Sequence, residues 1–131
     1  MTKAQFLGKF SEDRAADYLL SIGWAIIARN VKNSYGELDI VATETKINPD
    51  ELVIVEVRSR TIGKIQSPID SVGSRKLNSL IKTSRAFIDE IEWQKFWRID
   101  LIGITLKNKN NLQDWELIHL KDITSGMNFS F

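Results

Sequence analysis

At 131 residues with a formal net charge of +1, the chain fits one domain that can bury a core without staples. The absence of cysteine and the presence of a single histidine exclude disulfides, thiolate zinc sites and His-rich metal sites, so a metal would have to be a hard, oxygen-ligated ion such as Mg²⁺ or Mn²⁺. No apolar run has the length of a signal peptide or a membrane span, which gives the expectation of a soluble cytoplasmic protein without a membrane partner.

Residues 4 to 22 read as an amphipathic helix, with Phe6, Phe10, Ala15, Leu19 and Ile22 at mostly three- and four-residue spacing and Gly23 placed to end it. Glu12 lies near the apolar stripe, but in company with Asp13, Arg14 and Asp17 it reads by itself as a surface glutamate. A first strand follows from Trp24 to Val31, then a turn at Asn33-Ser34-Tyr35-Gly36 and a second strand from Glu37 to Thr43, together a hairpin. Period-two geometry puts Glu37, Asp39 and Val41 on one face of the second strand and Leu38 and Ile40 on the other. After a turn at residues 46 to 50, the third strand runs from Glu51 to Arg60. It is apolar on both faces over residues 52 to 57 except at Glu56, as suits a covered central strand.

Carboxylates within such strands must shed water, which is unfavourable unless a cation or hydrogen-bond donors compensate. Glu56 and Arg58 point to the same face, yet close charge pairing in sheets is chiefly a cross-strand relation, so a structural salt bridge is not the expected reason for the pair. Between Arg58 and Arg85 there are seven cations and one anion, Asp70. That footprint suits a polyanion, or is a solvated basic face. Ser67-Pro68 with Asp70 reads as the capped start of a second helix reaching about residue 92. Lys76 sits at the edge of its apolar stripe, either snorkelling to solvent or carrying an ammonium towards the sheet. A fourth strand from Trp97 to Ile104 is expected parallel to the third through a right-handed crossover, with a final strand from Trp115 to Leu120 paired to it as a hairpin. His119 reads as structural, having no second histidine to recruit. Trp93, Phe96 and Trp97 can pack in the core or form an interface, the core being the expectation.

The order is α-β-β-β-α-β-β, an α/β single domain over residues 1–131 with a mixed central sheet flanked by helices, its core at about 8–122 and a short tail at 123–131. With Gly36-Glu37-Leu38-Asp39-Ile40-Val41, Val55-Glu56-Val57-Arg58-Ser59-Arg60, Gly8-Lys9-Phe10-Ser11-Glu12-Asp13, Arg29-Asn30, Ser67-Pro68 with Lys76, and Arg98-Ile99-Asp100, the sequence resembles the YraN-type family of endonuclease-like proteins. That family is placed in the PD-(D/E)xK nuclease superfamily and is related to archaeal Holliday junction resolvases. The resemblance implies a restriction-endonuclease-like core and a metal-dependent DNA endonuclease, with branched or distorted DNA as substrate. It implies Mg²⁺ or Mn²⁺ at Asp39 and Glu56, with Glu12 completing the acidic cluster, and a homodimer. DNA contacts fall to Arg58, Arg60, Lys64, Arg75 and Lys76, and Glu37 is a secondary candidate for orienting water.

One departure stands out. The superfamily's lysine two residues after the glutamate is Arg58 here, and guanidinium stays protonated, so it can clamp phosphate but not act as a base. Lys76 is the candidate for the missing ammonium. The alternative is a non-catalytic nucleic-acid-binding module that keeps the nuclease fold; a third reading has the basic patch binding an acidic protein.

Overall fold

The computed structural model describes residues 1–45, 50–63, 69–108 and 110–124. In them the chain runs through α1 (Lys3–Ser21), β1 (Ala25–Asn33), β2 (Gly36–Thr43), β3 (Glu51–Thr61), α2 (Ser74–Glu90), β4 (Phe96–Leu106) and β5 (Trp115–Leu120). The order is the one expected from the sequence. Side chain and backbone of Thr2 and Gln5 exchange hydrogen bonds of 3.1 and 2.9 Å at the start of α1, so the helix begins slightly before the apolar spacing does.

The five strands form one sheet in chain order, β1-β2-β3-β4-β5. Neighbours are antiparallel except β3 and β4, which run parallel and in register from Glu51↔Phe96 to Thr61↔Leu106. A parallel pair cannot be closed by a tight turn. Its crossover contains α2, as the sequence order requires.

Alternation on β3 then builds two cores. Val53 and Val55 join Ile40, Ala42, Ile102 and Ile104 beneath Ala15, Ala16 and Leu19 of α1, while Leu52 and Ile54 join Ile99 beneath Leu77, Leu80, Ile81 and Ile88 of α2. Both faces of β3 are thus covered, which is why the strand reads as a continuous apolar run. No helix among the described residues is long and apolar enough to cross a membrane.

Two expectations need correction here. The second helix does not open at residue 67: Ser67 and Pro68 lie outside the described residues, Ile69 to Val72 form a turn closed by Val72 N–H to the Ile69 carbonyl at 3.1 Å, and the helix starts at Ser74 after Gly73. Arg58 binds Ser71 through both its hydroxyl and its carbonyl, which ties this stretch to β3 as a loop. Trp93 and Trp97 pack against the α2-side core, but Phe96 is 80 % exposed at the first position of β4. Residues 46–49 of the expected turn, Lys64, and the tail from residue 125 on lie outside the described residues.

The β1–β2 hairpin leans on α2. Asn33 Nδ2 donates to the Thr83 carbonyl at 3.1 Å, Ser79 Oγ donates to the Tyr35 carbonyl at 3.1 Å, and between them Gly36 has φ +156° with no room for a side chain. A Cβ there would meet Thr83 Oγ1 at 2.8 Å, and that hydroxyl is itself held by a 2.7 Å bond to the Ser79 carbonyl. Gly36→Ala should therefore lower stability by about 1–3 kcal/mol in urea unfolding; a change below a few tenths would show that the hairpin yields freely.

Candidate functional site

The site begins where β2 and β3 part. Their ladder ends at Ile40↔Val55, so Asp39 and Glu56, the next pair along, stand just beyond it. The Val57 N–H, released from ladder pairing, donates instead to Asp39 Oδ2 at 2.8 Å. On the other side of Asp39, β1 carries Asn30 at φ +53°, a left-handed conformation that asparagine tolerates. The β1–β2 register skips that point, between Arg29↔Ile40 and Val31↔Leu38. Leu38 and Val41 both enter the α2-side core while Ile40 enters the α1-side core; the register itself shifts further along, between Ile26 and Ala28. Leu38 and Ile40 therefore do not share a face, because strict alternation fails across Asp39.

Glu56 is only 3 % exposed. Lys76 Nζ lies 3.6 Å and Arg58 Nη1 3.8 Å from its Oε1, distances of ion pairs rather than hydrogen bonds. The same-strand pair discounted on sheet geometry is thus present. Arg58 is further fixed by Nε to Ser71 Oγ at 3.1 Å and Nη2 to the Ser71 carbonyl at 2.9 Å. Nothing in the spacing of the sequence signals Ser71 as its partner.

Electrostatics join these groups to α1. Burial pushes Glu56 up to about 7, the charge of Asp39 adds to this, and Lys76 and Arg58 offset only part of it. Glu12 is likewise pushed up to about 7, first by burial and then by Asp39. Asp39 itself is raised by burial, against the pull of the Val57 N–H and Lys76. Exposed Glu37, in register with Lys32, adds repulsion to Asp39 and Glu12 from the rim. Glu12 Oε1 is buried without a hydrogen-bond partner among the described residues. Arg29 Nη2 lies 3.9 Å from it and bonds Asp13 at 2.8 Å instead.

The donors suit a hard divalent cation in chemistry: Asp39, Glu56 and Glu12 offer only carboxylate oxygen. They do not form a finished cage, since among the described residues no three His, Asp or Glu side chains are grouped closely enough to hold a metal ion as they stand. What the fold brings together is a pair, Asp39 and Glu56, with Glu12 in electrostatic reach and Lys76 and Arg58 supplying the positive charge. Of the other expected DNA contacts, Arg75 is exposed on α2 and Arg60 donates to Thr105 Oγ1 at 3.1 Å.

A second ionic cluster occupies the α1 side of the sheet. Asp100, fully buried, accepts from Arg98 Nε at 2.8 Å and from the Asp122 N–H at 2.9 Å, and lies 2.8 Å from His119 Nε2. His119 Nδ1 is 3.0 Å from the Tyr18 hydroxyl, and Arg98 also bonds Glu44 and Glu51. His119 is structural, but it does have partners: Asp100, Tyr18 and, edge to face at 5.4 Å, Trp24.

Comparison with known proteins matches residues 11–104 to the uncharacterised protein family UPF0102. The chain is similar to a UPF0102 protein of Sulfurihydrogenibium sp., 36 % identical over 98 residues that cover 74 % of this chain and 82 % of that one. It is similar also to UPF0102 proteins of Dictyoglomus turgidum, 32 % identical over 113 residues (86 % and 92 % of the two chains), and of Mycobacterium tuberculosis, 36 % identical over 124 residues (94 % of each).

Proposed function

We propose that this chain, which belongs to the uncharacterised protein family UPF0102, is a nuclease-like protein of PD-(D/E)xK type that hydrolyses phosphodiester bonds in DNA with Mg²⁺ or Mn²⁺. The observation that carries the reading is the meeting of Asp39 and Glu56 at a break in the sheet beside Lys76 and Arg58, with Glu12 in electrostatic reach and both glutamates pushed up to about 7. A carboxylate cluster left under such strain is one of the signatures of a functional site. A structural network has no need of it: the Asp100 cluster shows that this protein satisfies a buried carboxylate fully where none is wanted for chemistry.

In this reading Asp39 and Glu56 hold the divalent ion, with Glu12 joining them. Bound there, the ion supplies Lewis-acid neutralisation of phosphate charge and a more acidic water. Arg58, braced by Ser71, clamps a phosphate oxygen through guanidinium N–H groups. Lys76 carries an ammonium to the same edge, where its N–H groups orient the attacking water and offset the charge that develops on phosphate. The basic stretch of α2, with Arg75, Lys76, Lys82 and Arg85 and no anion from residue 74 to 86, faces the phosphodiester backbone.

The test is incubation of purified protein with labelled duplex, single-stranded and four-way-junction DNA in Mn²⁺ or EDTA, with Asp39→Ala as control. Cleavage that needs Mn²⁺ and falls at least a hundredfold in the variant supports the reading; cleavage that persists in the variant comes from a contaminant and defeats it. A second reading, a non-catalytic nucleic-acid-binding module, is favoured by Arg58 in the lysine position and by the unfinished ligand cage. It expects salt-dependent DNA binding with no cleavage of any substrate.

A further inference from the structure

We infer that Tyr35 is a stacking platform for an unpaired base, which makes DNA with unstacked nucleotides the preferred ligand of the site; the inference rests on the nucleic-acid reading above. Tyr35 stands at the tip of the β1–β2 hairpin and is 56 % exposed. Exposed aromatics are often incidental, but this one is held rigidly. Its N–H donates to Asn33 Oδ1 at 2.9 Å and its carbonyl accepts from Ser79 Oγ at 3.1 Å. Asn33 is tied to the Thr83 carbonyl, and Gly36 is wedged against Thr83. All these ties use the backbone of Tyr35 or its neighbours. Among the described residues the ring itself makes no hydrogen bond or ring contact, and its anchored backbone lowers the entropic cost of stacking on it.

Its surroundings fit a nucleic acid strand. The ring lines an open groove of about 450 Å³ together with Lys82, Arg85, Ala86 and Asp89. The carboxylates lie along the strand that leaves this tip: Asp39 on β2 is four residues beyond Tyr35, about 13 Å of extended backbone. That separation amounts to about four phosphate spacings of roughly 3.4 Å in a stacked strand, and fewer once the strand is extended. A backbone phosphate at Glu56, Lys76 and Arg58 thus places a base a few nucleotides away over the Tyr35 ring, with Lys82 and Arg85 near the connecting phosphates. Stacking on an aromatic face is tolerant of base identity but requires the base to be out of its helix. Tyr35 therefore selects for strand opening and not for sequence.

The measurement is binding in EDTA, where no cleavage intervenes, of fluorescent oligodeoxynucleotides to wild type, Tyr35→Ala and Tyr35→Phe: a perfect duplex, the same duplex with an unpaired tract, and a single strand carrying 2-aminopurine. Wild type and Tyr35→Phe should prefer the unpaired DNA by about tenfold, the effect of one stacked base, and quench 2-aminopurine. Tyr35→Ala should lose the preference and the quenching while keeping its duplex affinity, salt dependence and melting temperature. Retention of the preference by Tyr35→Ala overturns the platform, and so does a wild type that binds duplex and unpaired DNA alike. Neither result touches the metal-dependent cleavage read through Asp39→Ala, so the two readings fail separately.

Discussion

Replacing Asp100 with alanine should destabilise the fold by about 3–5 kcal/mol, the usual range for removing one partner of a buried ion pair. Burial opposes its charge, but His119, Arg98 and the Asp122 N–H outweigh that and hold the carboxyl below its ordinary range. Deletion strands a guanidinium whose own side chain is 12 % exposed, removes the partner of His119 Nε2, and leaves a backbone N–H unpaired. Because the folded pKa is depressed, the stabilisation is present above the unfolded value of about 3.8 and is lost as pH falls through the lower folded value. Wild type and variant should therefore differ most in urea unfolding at neutral pH and converge in strong acid. A difference below 1 kcal/mol at pH 7 would mean that Glu44 and Glu51 suffice for Arg98.

Glu56→Gln should do the reverse in metal-free buffer and make the protein more stable. The folded carboxyl is pushed up to about 7 from 4.5, so its protonated form favours the fold, fully below pH 4.5 and decreasingly as pH rises through 7. Glutamine keeps the neutral shape at every pH. At pH 8 in EDTA the variant should gain roughly 1–3 kcal/mol over wild type, and the gap should close towards pH 4.5. Saturating Mn²⁺ should turn the order around, because a ligand that binds only the folded state raises its stability with concentration and the variant has lost a carboxylate for it. If EDTA-treated Glu56→Gln melts below wild type at pH 8, Lys76 and Arg58 neutralise Glu56 after all; if Mn²⁺ stabilises both equally, the ion binds elsewhere.

Much of this arrangement is legible in residue order. Helix and strand periods place every element except the start of α2 within a few residues, and the choice of Asp39 to pair with Glu56, on a strand that carries Glu37 as well, is the one the family resemblance implies. The helical stripe puts Lys76 at its edge and leaves open whether the ammonium turns to solvent or to the sheet, where it lies 3.6 Å from Glu56. The start of α2 is not legible, because a Ser-Pro-x-Asp pattern satisfies local capping rules while the loop at Ile69–Gly73 is decided by a distant guanidinium. The split of Leu38 from Ile40 is hidden for a similar reason: alternation fails at Asp39 opposite an unusual backbone on β1, a two-strand event that neither strand shows alone. His119 looked isolated only because its partners, Tyr18 and Asp100, come from α1 and β4.

The position of β3, with its near neighbour β2 on one side and β4 on the other, has a consequence for how the protein comes into being. Pairing β2 with β3 closes a short loop, so Asp39 and Glu56 meet through contacts local in sequence. Lys76 and the Ser71 brace of Arg58 reach the sheet only when α2 docks, and the parallel register with β4 closes a longer loop still, a kind of contact that forms slowly. Contact order thus favours the meeting of the two strand carboxylates, with Arg58 beside Glu56 on the same strand, before Lys76 and the Ser71 brace are in place, so the pair is at its most negative in the bare hairpin.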